Sequence, residues 1–423
     1  MRQIRRRLAF AVAVVLLVLT GGCGPRAQEH ITLTIATFGE FGYDDLIPGY
    51  EFTHPGLTIR QVHTEQGGPY HQDLLKKLQD GRDLADIQAV EEGHLADVLA
   101  QSAKFADLAE VGPPDVKPGR WLEWKYEAGR SKDGKLVGYG TDIGPLAMCY
   151  RKDFLETAGL PTDPGSVKTM FATWDSFFKA GEKYVKRSHG KPWFDSAAQI
   201  FNAMVNQLPV GYLDREDHST LETNTALKDA WDKVSTAVKQ GQSAGLTAFA
   251  DDGNNGLRLG AFATKVCPSW MLGIIEQQAG IANAGKWAIT DAFPDGGGNW
   301  GGSYLTVPAA SPHQKEAAAL AAWLTAPEQQ LHAFRVSGNF PSQVDAFTSP
   351  DLLSEMNSYF GGALSGQVFV AQARKVGKPQ YKGPGDGKIQ ETVIAPALKS
   401  VEQGADPAAV WQQVLAGVHR LVP

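Results

Sequence analysis

The chain has 423 residues, 43 % of them hydrophobic and 20 % charged, with a formal net charge of −6. That is the composition of a folded protein too long for one compact core, so two domains are expected. The acidic balance argues against nucleic acid or an anionic lipid surface as partner.

In chain order, the first feature is an export signal. Arg2, Arg5, Arg6 and Arg7 precede an apolar run from Leu8 to Leu19, which ends in Thr20-Gly21-Gly22-Cys23. A cationic start, a short apolar core and small residues make a secretory signal, too short for a permanent membrane span. The cysteine after the small residues resembles a bacterial lipobox, with Cys23 as the lipidated first residue. Leu19 stands four places before Cys23 rather than the usual three, and the alternative is ordinary cleavage near Gly22 or Ala27. Losing four arginines and no acids leaves the mature chain near −10. No other apolar stretch is long enough to cross a membrane.

After a tether ending at His30, Ile31-Thr32-Leu33-Thr34-Ile35-Ala36 alternates apolar residues with threonine and reads as a strand. A helix is expected near Asp44 to Thr53, a strand over Leu57 to His63, and a helix with Tyr70, Leu74, Leu75 and Leu78 on one face, stopped by Gly81. Asp86 to Val90 is the next strand. This alternation predicts parallel strands joined by crossovers, hence an α/β domain. Further on, Thr325-Ala326-Pro327-Glu328 fits a capping box, and Ser349-Pro350 a helix start. Helices are expected over Lys315 to Leu324, Thr392 to Val401 and Pro407 to Leu421. Cys149 and Cys267 lie in strand-like runs. An even pair outside the cell reads as a disulfide, with two buried thiols as the alternative.

The motifs of enzymes are missing: no Gly-x-Ser-x-Gly, no His-Glu-x-x-His and no Walker loop. The Gly296 to Gly302 run lacks the lysine of a phosphate loop. Glu91-Glu92 are adjacent carboxylates, whereas a glycosidase needs two facing each other across a bond. The ten histidines are scattered and read as surface or satisfied residues. No metal or cofactor is called for. What remains is a set of aromatics beside glycine or proline: Phe41 and Tyr43, Trp193, Trp270, Trp300, Phe340 and Tyr381. Aromatic faces offer flat apolar area to the C–H face of a sugar, and carboxylates beside them accept bonds from hydroxyls. Trp231 and Trp323 sit in helical patterns and are assigned to packing.

Several segments, in this order and behind a lipobox, carry a family resemblance. They include Ala36-Thr37-Phe38-Gly39-Glu40-Phe41-Gly42-Tyr43, Ala89-Val90-Glu91-Glu92-Gly93 and Gly298-Asn299-Trp300-Gly301-Gly302-Ser303, with 140–151, 322–328 and 338–342. The chain resembles the substrate-binding lipoproteins of bacterial sugar ABC importers, the maltose-binding-protein-like superfamily. Within it, the chain is similar to the actinobacterial branch often associated with cellobiose and other oligosaccharides. The resemblance implies an α/β, two-lobed, type II periplasmic-binding-protein-like fold with three hinge crossings and ligand in the interlobe cleft. By analogy 1–22 is the signal, 23–30 the anchor tether, 31–142 plus 301–342 lobe one, and 143–300 plus 343–423 lobe two. The implied ligand is an oligosaccharide, cellobiose-like, bound by closure and delivered to ABC permease subunits by a lipid-anchored monomer on the outer face of the membrane. Glu40 and Tyr43 match the first-loop contact position, with Phe41 between them. Glu91, Glu92 and Asp142 match acidic cleft positions. Trp193, Trp270 and Trp300 match stacking regions, with Phe340 and Tyr381 as further candidates. Relatives often carry tryptophan after Glu-Glu-Gly, where this chain has His94. A secreted carbohydrate-active enzyme or a sugar sensor would show similar aromatics and carboxylates.

Overall fold

The computed structural model describes residues 30–377 and 380–422. The signal segment, Cys23 and the tether up to Glu29 lie outside these residues. The strands are β1 (Ile31–Phe38), β2 (Leu57–Thr64), β3 (Ile87–Glu91), β4 (Gly138–Gly140), β5 (Asp142–Ile143), β6 (Leu146–Arg151), β7 (Thr264–Pro268), β8 (Trp287–Thr290), β9 (Ser303–Thr306), β10 (Phe340–Pro341), β11 (Met356–Asn357) and β12 (Ala363–Leu364).

The expected opening unit is present. β1 pairs in parallel with β2 and β3, and a five-stranded sheet runs β2-β1-β3-β9-β4, with β9 antiparallel to both neighbours. Side chains alternate between its faces, as the period of two requires. Leu33, Ile35, Ile87, Ala89 and Leu305 enter one core; Ala36, Val90 and Tyr304 enter the other. The helix Gly67–Asp80 covers the second face with Tyr70, Leu74 and Leu78, and Gly81 ends it in left-handed backbone at φ +66°. The helix Gln314–Leu324 covers the first face with an alanine-rich stripe that lets it approach closely.

A second, three-stranded sheet runs β7-β6-β8, all antiparallel. β6 is central and buried throughout. Leu146, Met148 and Tyr150 face one core, whereas Ala147 and Cys149 face another. Cys267 of β7 lies on that same second face, and the two cysteines form a disulfide with a Cα–Cα distance of 5.5 Å.

The chain passes between the two sheets near 140–146, 299–303 and 327–343. β5 and β10 pair antiparallel in this bridge. Gly144 lets two passes touch: its N–H donates to Asn299 Oδ1 (2.9 Å), and its carbonyl accepts from Trp300 N–H (2.8 Å). A Cβ on Gly144 would lie 1.8 Å from the Trp300 carbonyl oxygen. Gly302 takes φ +96°, and a Cβ there would lie 2.4 Å from the Asp142 carbonyl oxygen. The capping box expected at Thr325 is not formed. The Thr325 hydroxyl donates back to the Ala321 carbonyl (2.9 Å), and Ala326 takes the N-cap of the helix Pro327–Ser337. That helix, expected in lobe one, places Phe334 in the core behind the second sheet. Ser349 and Pro350 do start a helix, Pro350–Leu353. Near the C-terminus a π-helical stretch, Gln390–Ile394, precedes Ala395–Glu402, and Pro407–Leu421 closes the chain.

Candidate functional site

Between the two sheets lies a cleft of about 1380 Å³. Its first wall comes from the loops that follow the parallel strands β1 and β3, where α/β sheets present their ligand sites. The opposite wall comes from the helix Ala197–Val205, the loop 246–250, the start of the helix Met271–Ala279 and the segment 380–402. The crossing at 300–303 forms the floor.

Of the residues singled out in the sequence, Glu40, Phe41, Glu91, Asp142, Trp270 and Trp300 line this cleft. Glu40 stands exposed at the rim, its carbonyl accepting from Asn339 Nδ2 (2.7 Å). Glu91 Oε2 accepts from Gly93 N–H (2.6 Å) and so caps the helix Glu92–Leu99. Asp142 Oδ1 accepts from the Thr141 hydroxyl (2.6 Å) and from Ser303 N–H (2.9 Å). Burial raises the Asp142 pKa, and the nearby Lys125 ammonium opposes that rise. The Trp270 and Trp300 rings meet edge to face at 6.1 Å and 87°, and Trp270 Nε1 donates to the Trp300 carbonyl (3.0 Å). These two indoles present two apolar walls at right angles.

The other five do not line the cleft. Tyr43 packs behind Phe41 (5.4 Å between rings) in the core of the five-stranded sheet, where burial holds its phenol protonated. The Glu92 carboxylate is engaged within the protein, accepting from Asn299 Nδ2 (2.8 Å) with Lys382 Nζ at 3.8 Å. Trp193 is fully buried among Phe171, Phe177 and Tyr184 and is a core residue. Phe340 is fully buried against Phe334 and Phe347. The half-buried Tyr381 donates its hydroxyl to Asp217 Oδ1 (2.6 Å), while its neighbours Gln380 and Lys382 line the cleft.

A family model of bacterial extracellular solute-binding proteins matches residues 47–356. The chain belongs to this family. It is 27 % identical over 386 residues to the arabinooligosaccharide-binding protein of Bacillus subtilis (strain 168), which covers 83 % of each chain. A crystal structure described as extracellular solute-binding protein family 1 is 43 % identical, with a TM-score of 0.83 over 93 % of this chain and 100 % of that one. An ABC transporter associated binding protein from B. animalis subsp. lactis Bl-04, solved with beta-1,6-galactobiose, shares the fold at 18 % identity, with a TM-score of 0.77 over 91 % and 96 % of the two chains. The two-lobed α/β fold implied by the sequence resemblance is therefore the observed one. Proteins of this family work outside the cell and bind a solute rather than transform it. Among the described residues no helix is long and apolar enough to cross a membrane, and no group of three or more His, Cys, Asp or Glu could hold a metal ion.

The cleft also contains His94, noted above for its place after Glu-Glu-Gly, and residues that the sequence did not single out. Gln199, Asn202 and Asn206 bring three amides to one face at helical spacing, a signal visible in the sequence. Gln199 Oε1 is buried without a hydrogen-bond partner. His71 and His94 stack at 4.2 Å and 12° on the first wall. Glu91 N–H donates to His71 Nε2 (2.9 Å), so the ring proton sits on Nδ1 and points to the Gly67 carbonyl (2.7 Å). Burial, with His94 beside it, lowers the His71 pKa to about 3, so this ring is a neutral fixture. Ten carboxylates line the cleft against Arg335, Lys382 and Lys399, a balance that disfavours an anionic solute. Beneath the floor, burial lowers the Lys125 pKa, and its ammonium lies over the Tyr304 ring at 3.9 Å.

Proposed function

We propose that this protein captures an uncharged oligosaccharide in the interlobe cleft and delivers it to the transmembrane subunits of an ABC importer. The observation that carries this reading is the perpendicular Trp270–Trp300 pair with the Asp142 and Glu91 carboxylates beside it. Such a corner suits the C–H face of a sugar ring and leaves acceptors for its hydroxyls. Gln199 Oε1 adds a desolvated acceptor that a hydroxyl would satisfy. The arabinooligosaccharide-binding and beta-1,6-galactobiose-bound relatives support a di- or longer saccharide as the class. Cellobiose and cellotriose remain the first candidates from the sequence resemblance.

The two lobes, one built on each sheet, close about the three crossings. Cys23, lipidated, holds a monomer at the outer face of the membrane near its permease. The test is a tryptophan-fluorescence titration of the mature protein with cellobiose, cellotriose, arabinotriose, maltose and xylobiose, followed by chromatography of each sugar. A saturable change with the sugar recovered intact is expected. Silence towards every sugar, or cleaved product, overturns the reading.

A further inference from the structure

Beyond Trp270, at the outer edge of the cleft, a phenylalanine holds a backbone conformation that its side chain disfavours. Phe249 has φ +64°, in the left-handed region where a bulky residue is crowded and Gly or Asn fits better. Strain of this kind concentrates at ligand clamps, where surrounding structure imposes it. Here the loop around Phe249 is anchored on both sides. Leu246 N–H donates to the Asp195 carbonyl (3.0 Å), Thr247 N–H to Asp252 Oδ2 (2.9 Å), and Ala250 N–H to the Thr247 carbonyl (3.2 Å). The Lys399 ammonium donates to the Gly245 carbonyl. Asp195 is itself fixed by a buried ion pair with Lys265.

This strained position does not serve the core. The Phe249 side chain is 42 % exposed and lines the cleft. Its ring centre stands 6.0 Å from that of Trp270, inclined at 42°. Trp270 in turn meets Trp300, so three aromatic rings run from the exposed rim to the floor of the cleft. Gln277 and Asn339, which also line the cleft, can bond to hydroxyls.

We propose that Phe249 is a ligand-contacting residue that forms the outer wall of an aromatic subsite. It stacks on the C–H face of a sugar ring that lies outward of the one at Trp300, and so favours longer oligosaccharides over disaccharides. The proposal rests on the oligosaccharide reading of the cleft.

The test combines calorimetric titration with thermal melting for the wild type, Phe249→Asn and Phe249→Trp. The probes are cellobiose, cellotetraose, arabinobiose and arabinotetraose. Phe249→Asn is expected to melt at or above the wild-type temperature, because asparagine accepts the left-handed backbone. It should also bind the preferred tetrasaccharide about tenfold more weakly and the matching disaccharide nearly unchanged. Phe249→Trp should restore tetrasaccharide affinity. If Phe249→Asn binds the tetrasaccharide as tightly as the wild type, or weakens only together with a fall in melting temperature, this assignment is overturned while the oligosaccharide reading stands. If the wild type binds none of the probes, both fall.

Discussion

The His94 imidazole lies 3.4 Å from the Glu391 carboxylate, and the two residues come from opposite walls of the cleft. His94 sits on the helix Glu92–Leu99 behind β3, and Glu391 on the π-helical stretch Gln390–Ile394. Close by, Gly385 N–H donates to Asp97 Oδ1 (3.0 Å), so this side of the cleft is bridged by more than one contact. The groups facing His94 are Glu391, Glu91, Asp97 and the stacked, neutral His71.

Burial lowers the His94 pKa, but its hydrogen bond to Glu391 and the charges of Glu91, Glu391 and Asp97 outweigh that and leave it raised. A raised histidine stabilises the folded state fully below its unfolded pKa, and the gain fades as pH climbs through the folded value. Because Glu391 is partly exposed, His94→Gln should cost only about 0.5–1 kcal/mol at pH 5.5 and almost nothing at pH 9. Urea melts at the two pH values check this. An equal loss at both would show that the imidazole contributes by packing, not by charge.

Asp386 follows the same direction from the opposite cause. Burial raises its pKa to about 6, against the opposing Gly383 N–H (2.9 Å) and the Lys382 charge. The folded protein therefore holds a proton that the unfolded chain releases near pH 4, and stability falls as pH rises from about 4 through 6. Asp386→Asn should exceed the wild type by up to about 2 kcal/mol at pH 7.5 and match it near pH 3.5, in protein free of sugar. A variant less stable than the wild type at pH 7.5 would show that the ionised carboxylate is needed.

At the crossing, Gly144→Ala should lose at least about 3 kcal/mol, because backbone rather than a movable side chain blocks the new methyl group. Gly119→Ala, with nothing within 4 Å, serves as control and should stay within about 0.5 kcal/mol. Comparable denaturation midpoints for both variants would contradict the tight contact with Trp300.

The Cys149–Cys267 bond closes a loop with a sequence separation of 118. Replacing both cysteines with alanine should cost about 3–5 kcal/mol by releasing the unfolded chain. Both residues lie in the core, away from the cleft. Sugar affinity measured well below the melting temperature should therefore be unchanged, and a large affinity loss would tie the bond to the site.

Trp193 and Trp270 separate packing from binding. Trp193→Ala should remove about 3–5 kcal/mol of stability. Trp270→Ala should leave most of the stability and weaken sugar binding about tenfold. Exchanged effects in melting and titration would reverse the two assignments.

Much of this protein was determined by the sequence alone. The cationic start and apolar run read as an export signal from local charge and chain length alone, and they lie outside the described residues. Alternation along Ile31 to Ala36 and the helical face of Tyr70, Leu74 and Leu78 specified the first α/β unit, since each periodicity has one way to bury its apolar side. Only the tertiary structure decided which aromatics face the cleft. Lys191-Pro192-Trp193 and Pro268-Ser269-Trp270 look alike locally. The first tryptophan is enclosed by rings from the helix Trp174–Arg187. The second emerges at the start of the helix Met271–Ala279, beside the crossing segment at Trp300, thirty residues on. A ring's exposure depends on what packs over it, and here those neighbours come from distant parts of the chain. The same holds for His94 and Glu391, which meet only because the fold brings the helix after β3 against the C-terminal helices.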